Sequence, residues 1–225
     1  MTSTRQKQLT SLDRITDHAL GPADAEVTVL EYGDFTSVAC AEAQPCLALL
    51  RREFGDEIRV AFRHFPERAI HPLAEMAAEA SEAMAAQGKF WPYHDLLFSH
   101  HAHLSATSIR ADAEQLEADM RRFDAALLGH AYLQRVQEQM ESARLLSIRA
   151  MPTFYVNGVL VDVSFGLHHL TEAVEWALRA LDDRAARRYA QPPPKDSAVK
   201  PSTDKPSAAG RPAVSRQAFR RSADT

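Results

Sequence analysis

Two short runs of alternating apolar and polar positions near the start of the chain predict strands. Residues 27–32 read Val-Thr-Val-Leu-Glu-Tyr, and residues 58–65 place Ile58, Val60 and Phe62 on one face. Between them the period lengthens to that of a helix over 41–54, with Leu47, Leu49, Leu50 and Phe54 apolar and a stop at Gly55-Asp56. Two strands joined by a helix make a βαβ unit, most economically parallel. A helix over 72–84 carries Leu73, Met76, Ala77, Ala80 and Met84 on one stripe. Further helical patterns follow over 89–100, 108–116, 120–128 and 131–146. Strand character returns at 151–156, and Asn157-Gly158 is a strong hairpin signal before the answering run 159–163. Residues 167–189 close the pattern as an amphipathic helix with Leu170, Val174, Ala177 and Leu178 inward.

The predicted architecture is therefore α/β, with a helical subdomain over about 67–148 inserted between a βαβ half and a ββα half. Residues 1–19 are polar and read as a flexible leader, 20–190 as the folded domain, and 191–225 as a tail. That tail is rich in Pro, Ser, Ala, Lys and Arg, too poor in large apolar side chains to offset its ordering entropy, and is expected to be disordered.

Charge sharpens the division. The net charge is −4, and residues 191–225 hold seven Lys or Arg against three Asp, which leaves −8 on residues 1–190. A folded body of that sign is not expected to bind nucleic acid. No run approaches the ~20 apolar residues that span a bilayer, and the first twenty residues lack the apolar core of a signal peptide. With two cysteines, Cys40 and Cys46, there is no disulfide framework. These features together predict a cytoplasmic, reducing setting with no membrane partner.

Candidate chemistry lies in Asp34-Phe-Thr-Ser-Val-Ala-Cys40, between the first strand and the first helix. Ser37 falls at the N-cap position, its hydroxyl placed to accept the Cys40 N–H, and Cys40 lies three residues inside the helix. Glu31 and Asp34 flank this turn. Cys46 is six residues further along the same helix, a rise of ~9 Å and a rotation of roughly 240°, so the two thiols are not expected to bridge. The cluster His94, His100, His101 and His103 is made of imidazoles that suit zinc or copper. It lacks the paired spacing of a metal site, and Ser99-His-His-Ala-His reads as a polar helix end, so no metal is expected.

The order of these blocks resembles the DsbA-like branch of the thioredoxin superfamily, and is most similar to its cytoplasmic-style members, including those fused to bacterial sodium/proton antiporters. The residues that carry the likeness are Gly21-Pro-Ala-Asp24, Glu31-Tyr-Gly-Asp-Phe35, Phe62-Arg-His-Phe-Pro66, His71-Pro72, Gln87-Gly-Lys-Phe-Trp91, His94-Asp-Leu-Leu-Phe98 and Met151-Pro-Thr-Phe154. The resemblance implies a thioredoxin-like fold and a thiol–disulfide oxidoreductase. It also implies a cis Pro152 facing the active turn, with the Met151 backbone free to pair with an extended substrate. One departure matters: where such relatives read Glu-Cys-Pro-Tyr-Cys, this chain reads Thr36-Ser-Val-Ala-Cys40. A serine hydroxyl does not ionise near neutral pH without a dedicated base, so Ser37 cannot replace the attacking thiolate.

Three readings stand at this point. The chain acts as a monothiol through Cys40 on a thiol-containing protein; or it handles glutathione through Ser37, as kappa-class transferases and related isomerases do; or it is a non-catalytic peptide-binding module. Catalytic candidates are Ser37 and Cys40, and substrate-binding candidates are Met151 and Pro152. No cofactor is required unless glutathione serves as one, and nothing in the sequence fixes an oligomeric state.

Overall fold

The two apolar runs form the middle of a five-stranded sheet. In this computed structural model, residues 3–13 and 16–190 are described, and the 191–225 tail lies outside them. Helix α1 (Ser3–Thr10) and strand β1 (His18–Leu20) precede β2 (Val27–Gly33), α2 (Val38–Phe54) and β3 (Ile58–His64). Five helices then follow: α3 (Ala74–Ala85), α4 (Phe90–Ser99), α5 (Ala106–Gln115), α6 (Met120–Leu128) and α7 (Leu133–Leu145). The hairpin β4 (Thr153–Val156) and β5 (Val159–Val161) and the closing helix α8 (His168–Ala190) complete the described residues. The sheet order is β1-β3-β2-β4-β5, with β2 and β3 parallel and every other pair antiparallel.

Helices cover both faces of the central strands. Val27 and Val29 of β2, with Ile58 and Val60 of β3, pack against α2 and against Leu170 and Val174 of α8. Leu30, Tyr32 and Ala61 face the other way, onto Ala143 and Ile148. β2 consequently has no polar face, although its sequence alternates. Glu31, expected on such a face, is buried. The inserted helices form their own apolar cluster, in which Phe35 and Phe62 meet Tyr93, Leu97, Phe98, Ile109 and Phe123.

Helix starts and turns follow their local chemistry. Ser105 and Ser108 make a reciprocal capping box on α5, and the Asp119 carboxylate caps α6. Asn157 and Gly158 both take positive φ, 47° and 81°, as the two-residue hairpin demands. Two predicted core positions are corrected. Leu49 is 51% exposed and Met76 37% exposed, because the cover over α2 and α3 sits on neighbouring faces.

Within the stretch 1–19, expected to be a flexible leader, the described residues 3–13 and 16–19 include segments tied into the fold. β1 pairs with β3 through His18 opposite Phe62 and Leu20 opposite Val60. The Arg63 guanidinium, buried beneath it, donates to both Asp17 oxygens at 2.7 and 2.6 Å. It also donates to the Leu9 and Ser11 carbonyls at 2.6 and 2.9 Å and to the Tyr32 hydroxyl at 2.8 Å. One side chain thereby anchors three separate segments. Asp17→Asn, which removes the negative partner of this fork, is expected to lower stability by about 2 kcal/mol. Urea unfolding measures that loss, and limited trypsin digestion should release the N-terminal segment sooner. A variant with an unchanged midpoint and digestion pattern would show the fork to be idle.

Candidate functional site

β2 ends at Gly33 and the chain turns into α2 through a tightly bonded loop. One Asp34 carboxylate oxygen accepts the Thr36 N–H at 2.8 Å and the Thr36 hydroxyl at 2.6 Å; the other accepts the Glu67 N–H at 2.8 Å. The Ser37 N–H donates to the Asp34 carbonyl at 3.0 Å. Ser37 itself is extended, with φ −83° and ψ 122°, and its Oγ accepts the Cys40 N–H at 3.3 Å. It is the N-cap of α2, worth about 1 kcal/mol to such a helix. Phe35 anchors the turn from below, stacked on Phe62 with ring centroids 5.2 Å apart.

Cys40 sits one turn into α2 and is 0% exposed. Burial pushes its thiol up to about 12, helped by the neighbouring Glu31 and opposed by weaker contributions from the Ser37 hydroxyl and the Asp34 backbone. Glu31 lies beneath. Its carboxylate accepts the Gln44 side-chain amide at 3.2 Å on each oxygen, and that same amide reaches the Cys40 carbonyl at 3.1 Å. Desolvation raises Glu31 to about 8, against the smaller pull of that amide. At neutral pH the acid is therefore mostly protonated, and the insulation of Cys40 there comes from burial rather than from a neighbouring charge. Cys46, half-buried on the α8 side, donates weakly to the Leu167 carbonyl at 3.8 Å, and both cysteines are free.

The fourth wall comes from far along the chain. Because β4 runs antiparallel to β2, Thr153 lies opposite Tyr32. The segment just before it consequently arrives beside the start of α2. The Met151–Pro152 peptide bond is cis, and the Met151 side chain packs against the cluster that contains Phe35 and Cys40. Ser37, Cys40, Met151 and Pro152 thus converge at one end of the sheet.

A thioredoxin family profile matches residues 13–176. The chain belongs to the thioredoxin family. Two sodium/proton antiporters of the NhaA type are similar to it. The one from Salinispora arenicola is 40% identical over 177 residues, covering 76% of this chain and 27% of the antiporter. The one from Herminiimonas arsenicoxydans is 38% identical over 163 residues, covering 72% and 26%. This chain therefore spans about a quarter of the length of the curated relatives it matches. Among solved structures, oxidised BdbD from Bacillus subtilis superposes with a TM-score of 0.67 at 20% identity, covering 74% of this chain and 95% of that one. Wolbachia pipientis alpha-DsbA1 gives 0.68 at 17% identity, covering 78% and 99%. The DsbA-like form of the thioredoxin fold, with its inserted helices, is the one this chain adopts. No helix among the described residues is long and apolar enough to cross a membrane.

The histidines grouped by the sequence are not brought together. Nδ1 of His94 meets Asp95 at 2.9 Å, Nδ1 of His100 meets Asp112 at 3.0 Å, and His101 bonds the Phe98 carbonyl. A different set does converge. Nε2 of His18 and Nε2 of His64 both reach Oε1 of buried Glu82, at 2.9 and 3.1 Å, while Arg135 donates to its Oε2 at 2.7 Å. These three residues carry metal-ligand atoms within 4.8 Å of one another. The shared carboxylate already satisfies them as a buried ion cluster that ties β1 and β3 to α3 and α7. Sequence reasoning missed this set because its members lie 18 and 64 positions apart on three elements. His64, at the end of a run the sequence already predicted as a strand, was the available signal.

Proposed function

We propose that this protein is a thiol-binding member of the DsbA-like branch: it docks an extended, cysteine-bearing segment against Ser37 and the Met151–Pro152 edge and does not complete a dithiol cycle by itself. The burial of Cys40 carries this reading. A thiol that is wholly covered and pushed up to about 12 supplies almost no thiolate near neutral pH. The monothiol route through Cys40 is correspondingly disfavoured. The Ser37 hydroxyl, on a partly buried residue at the start of α2, is set where the helix's N-terminal N–H groups favour a partially negative sulfur. A reducing cytoplasm is the setting in which a lone buried thiol persists unmodified.

The test is calorimetry of the native protein, under reducing conditions, with an extended cysteine peptide, its alanine counterpart and glutathione. The cysteine peptide should bind roughly tenfold more tightly than the alanine one, the worth of one favourable hydrogen bond. Ser37→Ala should erase that preference, and insulin reduction by the native protein should stay at background. Insulin turnover that vanishes in Cys40→Ala would restore the monothiol reading. Saturable binding of glutathione alone would favour a transferase-like role instead.

A further inference from the structure

Three side chains distant from one another in sequence bring their donor atoms to one spot. His18 of β1, His64 of β3 and Glu82 of α3 each place a ligand atom within 4.8 Å of the other two. Both imidazoles present the same nitrogen, Nε2, to the same carboxylate oxygen, Oε1, at 2.9 and 3.1 Å. The client face proposed above uses none of the three.

Hydrogen bonds satisfy this set, and two further features fit it to a cation as well. Glu82 has two oxygens, yet both rings crowd onto one, because Arg135 holds the other at 2.7 Å. Ser81 Oγ stands 3.3 Å from Nε2 of His64 and gives its proton to the Ala78 carbonyl at 2.8 Å, so a lone pair is left for its other neighbours. Two nitrogens and two oxygens able to offer lone pairs are thereby gathered together. Ligand atoms about 2.0–2.2 Å from one ion and at right angles to each other lie about 3 Å apart. That is the spacing of Oε1 from each Nε2.

The surrounding contacts suit a ligand set. Arg135 fixes the carboxylate through its outer oxygen, and the His18 ring is stacked on Phe90 with centroids 3.6 Å apart. His64 and Glu82 are buried, whereas the His18 side chain is 13% exposed on the edge strand β1, which leaves a way in. The buried Asp34 carboxylate, close enough to act on His64, adds a second negative charge against Arg135 and an ion.

We infer that His18, His64 and Glu82 form a binding site for one divalent cation of the zinc class, with a fourth position open to Ser81 Oγ or to water. Each ring then carries its proton on Nδ1 and gives the ion its Nε2 lone pair. Two imidazoles with one carboxylate suit zinc, iron(II) or cobalt(II); magnesium and calcium call for more oxygens than this set supplies. The ion clamps the edge strand β1 to β3 and α3.

The experiment uses the full, untagged chain, stripped of metal with a chelator and kept reduced without thiols. Calorimetry should show one zinc bound per chain and no binding of magnesium. His18→Ala should weaken zinc binding by roughly a hundredfold or more, since even an outer partner of a ligand contributes about ten- to a hundredfold. The paired control His101→Ala and His103→Ala should leave it unchanged. Cobalt(II) should give visible bands without the near-ultraviolet band of a thiolate ligand, which separates this site from one built on Cys46. In protein labelled with 15N-histidine, Nε2 of His18 and of His64 should both shift on adding zinc. Should His18→Ala fail to fold, the native-protein titration, the cobalt spectrum and the nitrogen shifts decide the matter alone. Absence of zinc binding, binding that survives His18→Ala, a thiolate band with cobalt, or an unmoved nitrogen on either ring would each overturn the inference.

Discussion

Ser37→Cys is expected to convert an inert site into a dithiol one, raising dithiothreitol-driven insulin reduction roughly a hundredfold or more above the native protein. A cysteine at a helix N-terminus ionises at about 3.5–7.5, whereas free cysteine does so near 8.5. The N-cap position here offers that environment: the group at residue 37 already meets the Cys40 N–H at 3.3 Å. The introduced thiolate attacks an insulin disulfide, forming a mixed disulfide and releasing one insulin thiolate. Cys40 then gives up its proton and attacks that mixed disulfide from one helical turn away, closing a 37–40 bridge and releasing the second insulin thiol. Dithiothreitol reduces the bridge and is itself oxidised. Resolution is the slow step, because the Cys40 thiol is pushed up to about 12. The second substitution Cys40→Ala in the Ser37→Cys background should therefore trap the mixed disulfide, visible by mass spectrometry. A Ser37→Cys protein no faster than the native one would mean that more than the nucleophile is missing, and the docking face drawn here would fall with it.

What the sequence disclosed and what it hid divide along a physical line. The strand 27–32, the Ser37 cap and α6 were legible because each is decided by neighbours within one or two turns of chain. The approach of Met151 and Pro152 to the end of β2 was implied only by the family resemblance; the structure supplies its cause, the antiparallel pairing of β4 with β2. β1 was invisible. Three residues, His-Ala-Leu, carry no periodicity, and they become a strand because Val60 to Phe62 offer an unpaired edge. The outward turn of Leu49 and Met76 could not be read either, since a helix's apolar stripe is wider than the face its partners cover. His94 was grouped by proximity in sequence with His100, His101 and His103. Its burial against Phe62 and Phe98, with ring centroids 5.0 and 4.8 Å away, separates it from them.

Glu31 is the residue whose meaning changed most between sequence and fold, and it carries the second large prediction: Glu31→Gln should stabilise the protein at pH 7 by roughly 3 kcal/mol. The unfolded chain ionises this carboxyl near 4.5, and the fold raises it to about 8 through desolvation. Between those values the folded protein holds a proton that the unfolded chain has released, so stability falls as pH rises from 4.5 to 8 and changes no further beyond. Glutamine removes the titration, keeps a carbonyl to accept the Gln44 amide, and preserves volume. The gain should vanish near pH 4.5 and grow up to pH 8. Urea midpoints of native and variant protein across that range measure it. Two other buried groups act in the opposite sense: Glu82 is held below its ordinary range by His18 and His64 against the opposing desolvation, and His64 is held down by burial. Their contributions fade as pH falls through the unfolded values, but they are common to both proteins and cancel in the difference. Parallel stability curves for native and variant would sink the assignment. A confirmed gain would mean that the fold keeps, 1% exposed beneath Cys40, an acid that weakens it at neutral pH. In the Ser37→Cys background, adding Glu31→Gln should speed resolution by Cys40 most at pH 8 and above, where the native carboxylate's charge adds to the burial that holds the thiol up.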